Sequence, residues 1–153
     1  MSSEDFKKDF NISAKIIYRN WLMDAIEKND YKSFRDCVLN LGIEWHVIRT
    51  VKKENQKDFC KNLWNNRKNI QNGTYNWWTG APSYKSKVCF LINPQYYKFI
   101  YDSRNRDALN KKNCKPANWQ NDADKHYEEH KLEKDVEKIF EIDYYLWNKE
   151  KQS

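Results

Sequence analysis

Apolar residues recur every three to four positions through most of the chain, and the runs they form predict helices. From Ser13 the set Ile17, Tyr18, Trp21, Leu22 and Ala25 marks an amphipathic helix to about Lys28, with Ser13 as its cap. Asn29-Asp30 breaks it. Tyr31 to Leu41 forms a second helix with Phe34, Cys37, Val38 and Leu41 on one face and Gly42 as its stop. So short a link favours antiparallel packing of the pair. Glu44 to Val51 carries Trp45, Ile48 and Val51 at helical spacing and reads as a helix, although its β-branched and aromatic content also suits a strand. Glu54 to Asn69 follows as one helix, with Phe59, Cys60, Leu63, Trp64 and Arg67 on a stripe.

Residues 70–80 make the main loop, turning at Asn72-Gly73 and carrying Tyr75, Trp77 and Trp78. Thr79-Gly80-Ala81-Pro82 is a turn, Ser83 to Ile92 a short apolar helix, Asn93-Pro94 its stop, and Asp102-Ser103 the opening of another helix. Beyond Leu109 the chain reads as a loop, barred from helix by Pro116 and docked by Trp119. From Asp122 a last helix carries Leu132, Val136, Ile139, Phe140, Leu146 and Trp147 inward. The expected architecture is all-α: a single compact domain of six to eight helices over residues 13–150, with a central helix-hairpin-helix-like element near Gly80 and a flexible N-terminus over residues 1–12.

Composition supports one core. The chain has 153 residues, and although its mean hydropathy is −1.10, seven Trp, ten Tyr and seven Phe supply apolar area. Three Gly and three Pro are too few punctuators for a many-stranded β domain. No run is long and apolar enough for a membrane span, and the charged start MSSEDFKKDF argues against a signal peptide, so the expected location is cytoplasmic. Cys37, Cys60, Cys89 and Cys114 lack paired spacing, which argues against disulfides and structural zinc. His126 and His130 sit one helical turn apart without the inner glutamate of a zincin, and read as a solvated face; no metal and no cofactor are expected.

Charge is unevenly placed. Between Lys85 and Lys115 stand eight basic residues (Lys85, Lys87, Lys98, Arg104, Arg106, Lys111, Lys112 and Lys115) against Asp102 and Asp107, while the segment 121–150 has an acidic excess. A localised positive strip fits a surface that tracks phosphates; the plainer reading is a strip that pairs with the acidic C-terminal helix. The loop aromatics also have two readings, as anchors in the core or as stacking surfaces for bases, the latter naming Trp77 and Trp78.

The stretch TGAPSYKSKVCFLINPQYYKFIYDSRNRDAL, in which a glycine turn leads into a lysine-bearing helix and an aspartate caps the next one, resembles the catalytic core of the helix-hairpin-helix DNA glycosylase superfamily. The resemblance implies a domain that binds double-stranded DNA and excises or recognises a modified base after flipping its nucleotide. It implies Lys85 as the amine nucleophile and Asp102, seventeen positions on, as the carboxylate that deprotonates it and stabilises the sugar cation, with Lys87 as a second candidate amine. Gly80 and Ser83 in the turn, with Lys87, Arg104, Arg106, Lys111 and Lys112, become candidate contacts to the DNA backbone. A non-catalytic reading stays open beside it: an interaction module, such as a defence or counter-defence factor or a protein-binding domain, that keeps the fold and lacks the chemistry.

Overall fold

The computed structural model describes residues 10–109, 111 and 114–152, and the side chains of these except at 10, 11, 103, 104 and 146–152. Almost all of the expected flexible N-terminus, and the side chains of Leu146 and Trp147, therefore lie outside the described residues. The chain is all-α. Among the described residues, a π-turn at Phe10–Ala14 is followed by eight helices: α1 (Lys15–Glu27), α2 (Tyr31–Glu44), α3 (Gln56–Asn65), α4 (Arg67–Asn72), α5 (Pro82–Ile92), α6 (Ser103–Ala108), α7 (Pro116–Glu129) and α8 (Val136–Gln152). Short 3-10 turns at Ile48–Thr50, Lys53–Asn55 and Trp77–Thr79 join them. No helix among the described residues is long and apolar enough to cross a membrane.

The domain is built around α5. Every residue from Tyr84 to Ile92 is buried, so this helix has no solvent face and must be wrapped on all sides. α1 and α4 pack against it, the Trp77–Thr79 turn leans on its start, Phe59 of α3 meets Tyr84 at 4.5 Å between ring centroids, and Phe90 meets Phe140 of α8 at 5.2 Å. α2 pairs with α1 across their short link, and α6 packs on α8.

Local signals explain the helix starts. Asp30 accepts the backbone N–H of Ser33 at the head of α2, and Asp102 accepts that of Asn105 at the head of α6. α1 follows the π-turn directly with Ala14 at its cap position, so Ser13 does not cap it. Its buried face is Lys15, Tyr18, Leu22 and Ala25; Ile17, expected inside, is 63% exposed, and Trp21 is half-buried, stacked on Tyr18. Pro116 opens α7 instead of barring it, because the first helical position needs no N–H donor and Lys115 before it is extended.

The helix ends are less conventional. α1, α2 and α7 each close with the same double bond: Asp30 N–H to Ala25 O with Asn29 N–H to Ile26 O, Val47 N–H to Gly42 O with His46 N–H to Ile43 O, and Leu132 N–H to Tyr127 O with Lys131 N–H to Glu128 O. The residue that turns left-handed in each is Asn29, His46 or Lys131, none of them glycine. This corrects two expectations. Residues 44–51 are not a helix, because the chain reverses at His46 and forms only a 3-10 turn, and the helix expected from Asp122 onward is two helices separated at Lys131. The helix expected over 54–69 is also split, at Asn66, whose side chain bonds back to Asn62 O and accepts from Asn69.

Gly42 does not stop α2, which continues to Glu44. It is needed for packing: a Cβ there would stand 2.2 Å from Tyr84 Oη, the hydroxyl that donates to Val38 O at 2.5 Å. Gly42→Ala is therefore expected to destabilise the domain by about 1–3 kcal/mol in urea unfolding, as overpacking does. Unchanged stability would mean that Tyr84 finds another seat at no cost.

Candidate nucleic-acid interface

Lys85 and Lys87 lie two positions apart on α5, which turns them to nearly opposite sides of the helix. Lys85 is 9% exposed; its ammonium donates to Thr79 Oγ1 at 3.4 Å and stands 5.8 Å from the centre of the Tyr75 ring. Burial pulls it below the usual lysine range. Lys87 is 8% exposed and has no hydrogen bond and no carboxylate within 4 Å among the described residues. Burial lowers its pKa too, while Asp102 and Asp143 pull it back up. The charges that act on Asp102 are those of Lys87, Asp143 and Lys15, and it forms no ion pair with Lys85 among the described residues.

Around Lys87 lies a buried polar cluster that the sequence reading missed. Asp143 of α8, 3% exposed, accepts from Lys15 Nζ at 2.9 Å, from Asn105 Nδ2 at 2.8 Å and from the Ile100 N–H at 3.2 Å. Asn105 Nδ2 also donates to Ile100 O at 2.9 Å, and Asn105 Oδ1 has no hydrogen-bond partner. Ser86 Oγ accepts the Tyr101 N–H and donates to Ser83 O, both at 3.0 Å. Burial pushes the Asp102 carboxyl up, partly offset by Lys87. The available signal was Asp143 itself, an acid in the apolar stripe set by Ile139 and Phe140.

Most of the expected strip turns inward. Lys98 is buried and paired with Asp124 of α7, Lys87 sits among the acids just described, and Arg106 lies over the Tyr101 ring with Nη1 3.3 Å from its hydroxyl and Nε 3.3 Å from Asp102 O. Pairing with an internal acid, the plainer of the two readings, describes Lys98, while Lys87 has the charges of Asp102 and Asp143 acting on it without an ion pair among the described residues. Lys111 and Lys115 are exposed. The side chain of Arg104, and Lys112, lie outside the described residues. Ser83 is half-buried. Gly80 has an extended backbone, φ 169°, and it is Ala81, φ 44°, that takes the left-handed position before α5. Trp77 is 1% exposed, packed 5.4 Å from the Tyr101 ring, so as a base-stacking surface it is withdrawn; Trp78 is half-buried, edge-on to Trp77.

The free positive charge stands elsewhere. Within residues 49–68 there are seven bases, Arg49, Lys52, Lys53, Lys57, Lys61, Arg67 and Lys68, against Glu54 and Asp58. All but Arg67 are exposed, and none of the seven has a carboxylate within 4 Å among the described residues. Lys53, Lys57 and Lys61 are spaced by four, which lines them up along one side of α3 and the turn before it. Lys61 Nζ lies 4.2 Å from the Tyr31 ring centre, and Arg67 stacks 3.9 Å from the Trp64 ring while donating to Asn29 Oδ1. A residue count over this segment alone would have found it. Beside this face opens a cleft of about 500 Å³, whose lining includes Lys52, Asn55, Asp58, Phe59, Gly80 and Lys85. No protein-family model, no curated protein and no solved structure matches the chain, so the likeness to hairpin glycosylases rests on the stretch from Thr79 to Leu109 alone.

Proposed function

We propose that the chain binds nucleic acid, in the first instance double-stranded DNA, through its phosphates, and that it binds without excising a base. The observation that carries this is the 49–68 face, seven cations of which six are exposed and none has a carboxylate within 4 Å among the described residues. Such a surface gains affinity by releasing counterions from the phosphate backbone. What supports binding over excision is that Lys85 and Asp102 form no ion pair among the described residues, Lys85 reaching Thr79 and the Tyr75 ring instead, whereas an amine nucleophile and the carboxylate that deprotonates it must meet at one sugar carbon. Asp102 is held as the cap of α6, in the field of Lys87.

The test is fluorescence anisotropy with a labelled duplex across a salt series. Affinity is expected to fall steeply with salt, and Lys53→Gln/Lys57→Gln/Lys61→Gln is expected to reduce the log–log slope by about 1 for each lysine that meets a phosphate. Asp102→Asn should bind as the wild type does. Failure to bind at low salt, or a slope unmoved by the triple substitution, would remove this reading.

A further inference from the structure

We propose that the cleft beside the start of α5 is a phosphate site that takes the phosphoryl group of a phosphomonoester, with Lys85 as its floor. The inference rests on the nucleic-acid reading only for the origin of that phosphate, which on this surface is the 5′-phosphate of a strand.

The ammonium of Lys85 is the first argument. It is more than nine-tenths buried, it has three N–H donors, and the described residues give it one long hydrogen bond to a neutral hydroxyl, the face of Tyr75 at 5.8 Å and no carboxylate within 4 Å. A buried cation is costly unless an anion accompanies it; of the other buried cations, Lys15 and Lys98 each have one in contact, and Lys87 has the charges of Asp102 and Asp143 acting on it, whereas the charge that acts on Lys85 is no carboxylate. Lys85 also lines an open cleft. Its missing anion has a place from which to come.

The walls narrow the class of ligand. Lys52 adds a second positive charge to the lining, and Asn55 adds amide donors for phosphoryl oxygens. Asp58 is the acid of this lining; it can accept only hydrogen bonds, as from the hydroxyl of a sugar, while Phe59 offers an apolar edge for a sugar or base. A volume of about 500 Å³ is that of a small-ligand site. Gly80 keeps the approach clear. A Cβ there would stand 3.9 Å from Lys85 Nζ, and its extended backbone accepts any residue, so a larger side chain would fill the space before the ammonium without straining the turn.

Two variants test this by backbone-amide NMR titration with inorganic phosphate. In the wild type, phosphate is expected to shift the amides of Lys52, Gly80, Ala81 and Lys85. Lys85→Met, which keeps the apolar stem, and Gly80→Leu, which closes the approach, are each expected to weaken this binding tenfold or more, the size of a lost charge-assisted hydrogen bond. If Lys85→Met does not fold, Gly80→Leu carries the test, because it alters no buried group. Competition then separates the sources. Displacement of phosphate by a 5′-phosphorylated strand and not by the same strand ending in a hydroxyl assigns the strand terminus; displacement by neither assigns a small phosphomonoester. The Lys53/Lys57/Lys61 variant should lose duplex binding and keep the phosphate shifts, so the two readings fail separately. Absence of shifts at these amides, or shifts of full strength in the foldable variants, overturns the proposal.

Discussion

Asp143→Ala is expected to destabilise the domain by about 3–5 kcal/mol, the cost of removing one partner from a buried ion pair. Three parts of the chain converge on this carboxylate: Lys15 at the start of α1, the Ile100 N–H in the connector, and Asn105 in α6. Its removal strands the Lys15 ammonium, 3% exposed and 5.6 Å from the Phe90 ring centre, in an apolar setting that water does not reach. The Ile100 N–H loses its acceptor as well, whereas Asn105 Nδ2 keeps Ile100 O. Against a total stability on the order of 5–15 kcal/mol, that loss would leave little folded margin. Urea unfolding measures it. Lys15→Met in the same background should recover a large part, since no charge is then orphaned, and a loss below about 1 kcal/mol in the single variant would show that the cluster is solvated enough to be dispensable.

How much of this was legible follows from which physical signals are local. The starts of α2, α5 and α6 were, because Asp30, Pro82 and Asp102 act within one turn of themselves, and so was the buried run of α5. The ends were legible where Asn29-Asp30, Asn72-Gly73 and Asn93-Pro94 mark them, and not at α2 and α7, where left-handed closure falls to His46 and Lys131, residues that do not announce it. Apolar spacing runs through such a reversal unchanged, so 44–51 and the stretch after Asp122 still looked helical. The candidate site failed for a different reason. A count of charges along 85–115 weighs Lys87 and Lys98 like any surface lysine, yet α5 is surrounded by other helices and the connector after it is folded inward, so those cations face acids supplied by α7 and α8. Lys85 was singled out and is the cation left facing a cleft, while its expected partner Asp102 belongs to Lys87. Periodicity assigns residues to a face; it does not say which helix covers that face.

The same distinction predicts a substitution of opposite sign. Lys87→Met with Asp102→Asn is expected to stabilise the domain by about 1–3 kcal/mol, because replacing poorly paired buried charges with groups of similar shape is often favourable. Met keeps an apolar stem of similar length, and Asn remains a good cap for the Asn105 N–H. The gain should depend on pH in a defined way. Lys87 has its folded pKa lowered, so the wild type pays for it below the unfolded lysine value near 10.4 and recovers as pH rises toward that value. Asp102 has its folded pKa raised, so its cost is absent below the unfolded aspartate value of about 3.9 and accrues as pH climbs above it. The variant's advantage is accordingly largest near neutrality and shrinks toward pH 4 on one side and pH 10 on the other. Urea unfolding of both proteins across that range gives the difference directly. A variant less stable than the wild type at pH 7 would mean that Lys87 and Asp102 hold the core together as a pair, and an advantage flat with pH would mean that neither group titrates differently on folding.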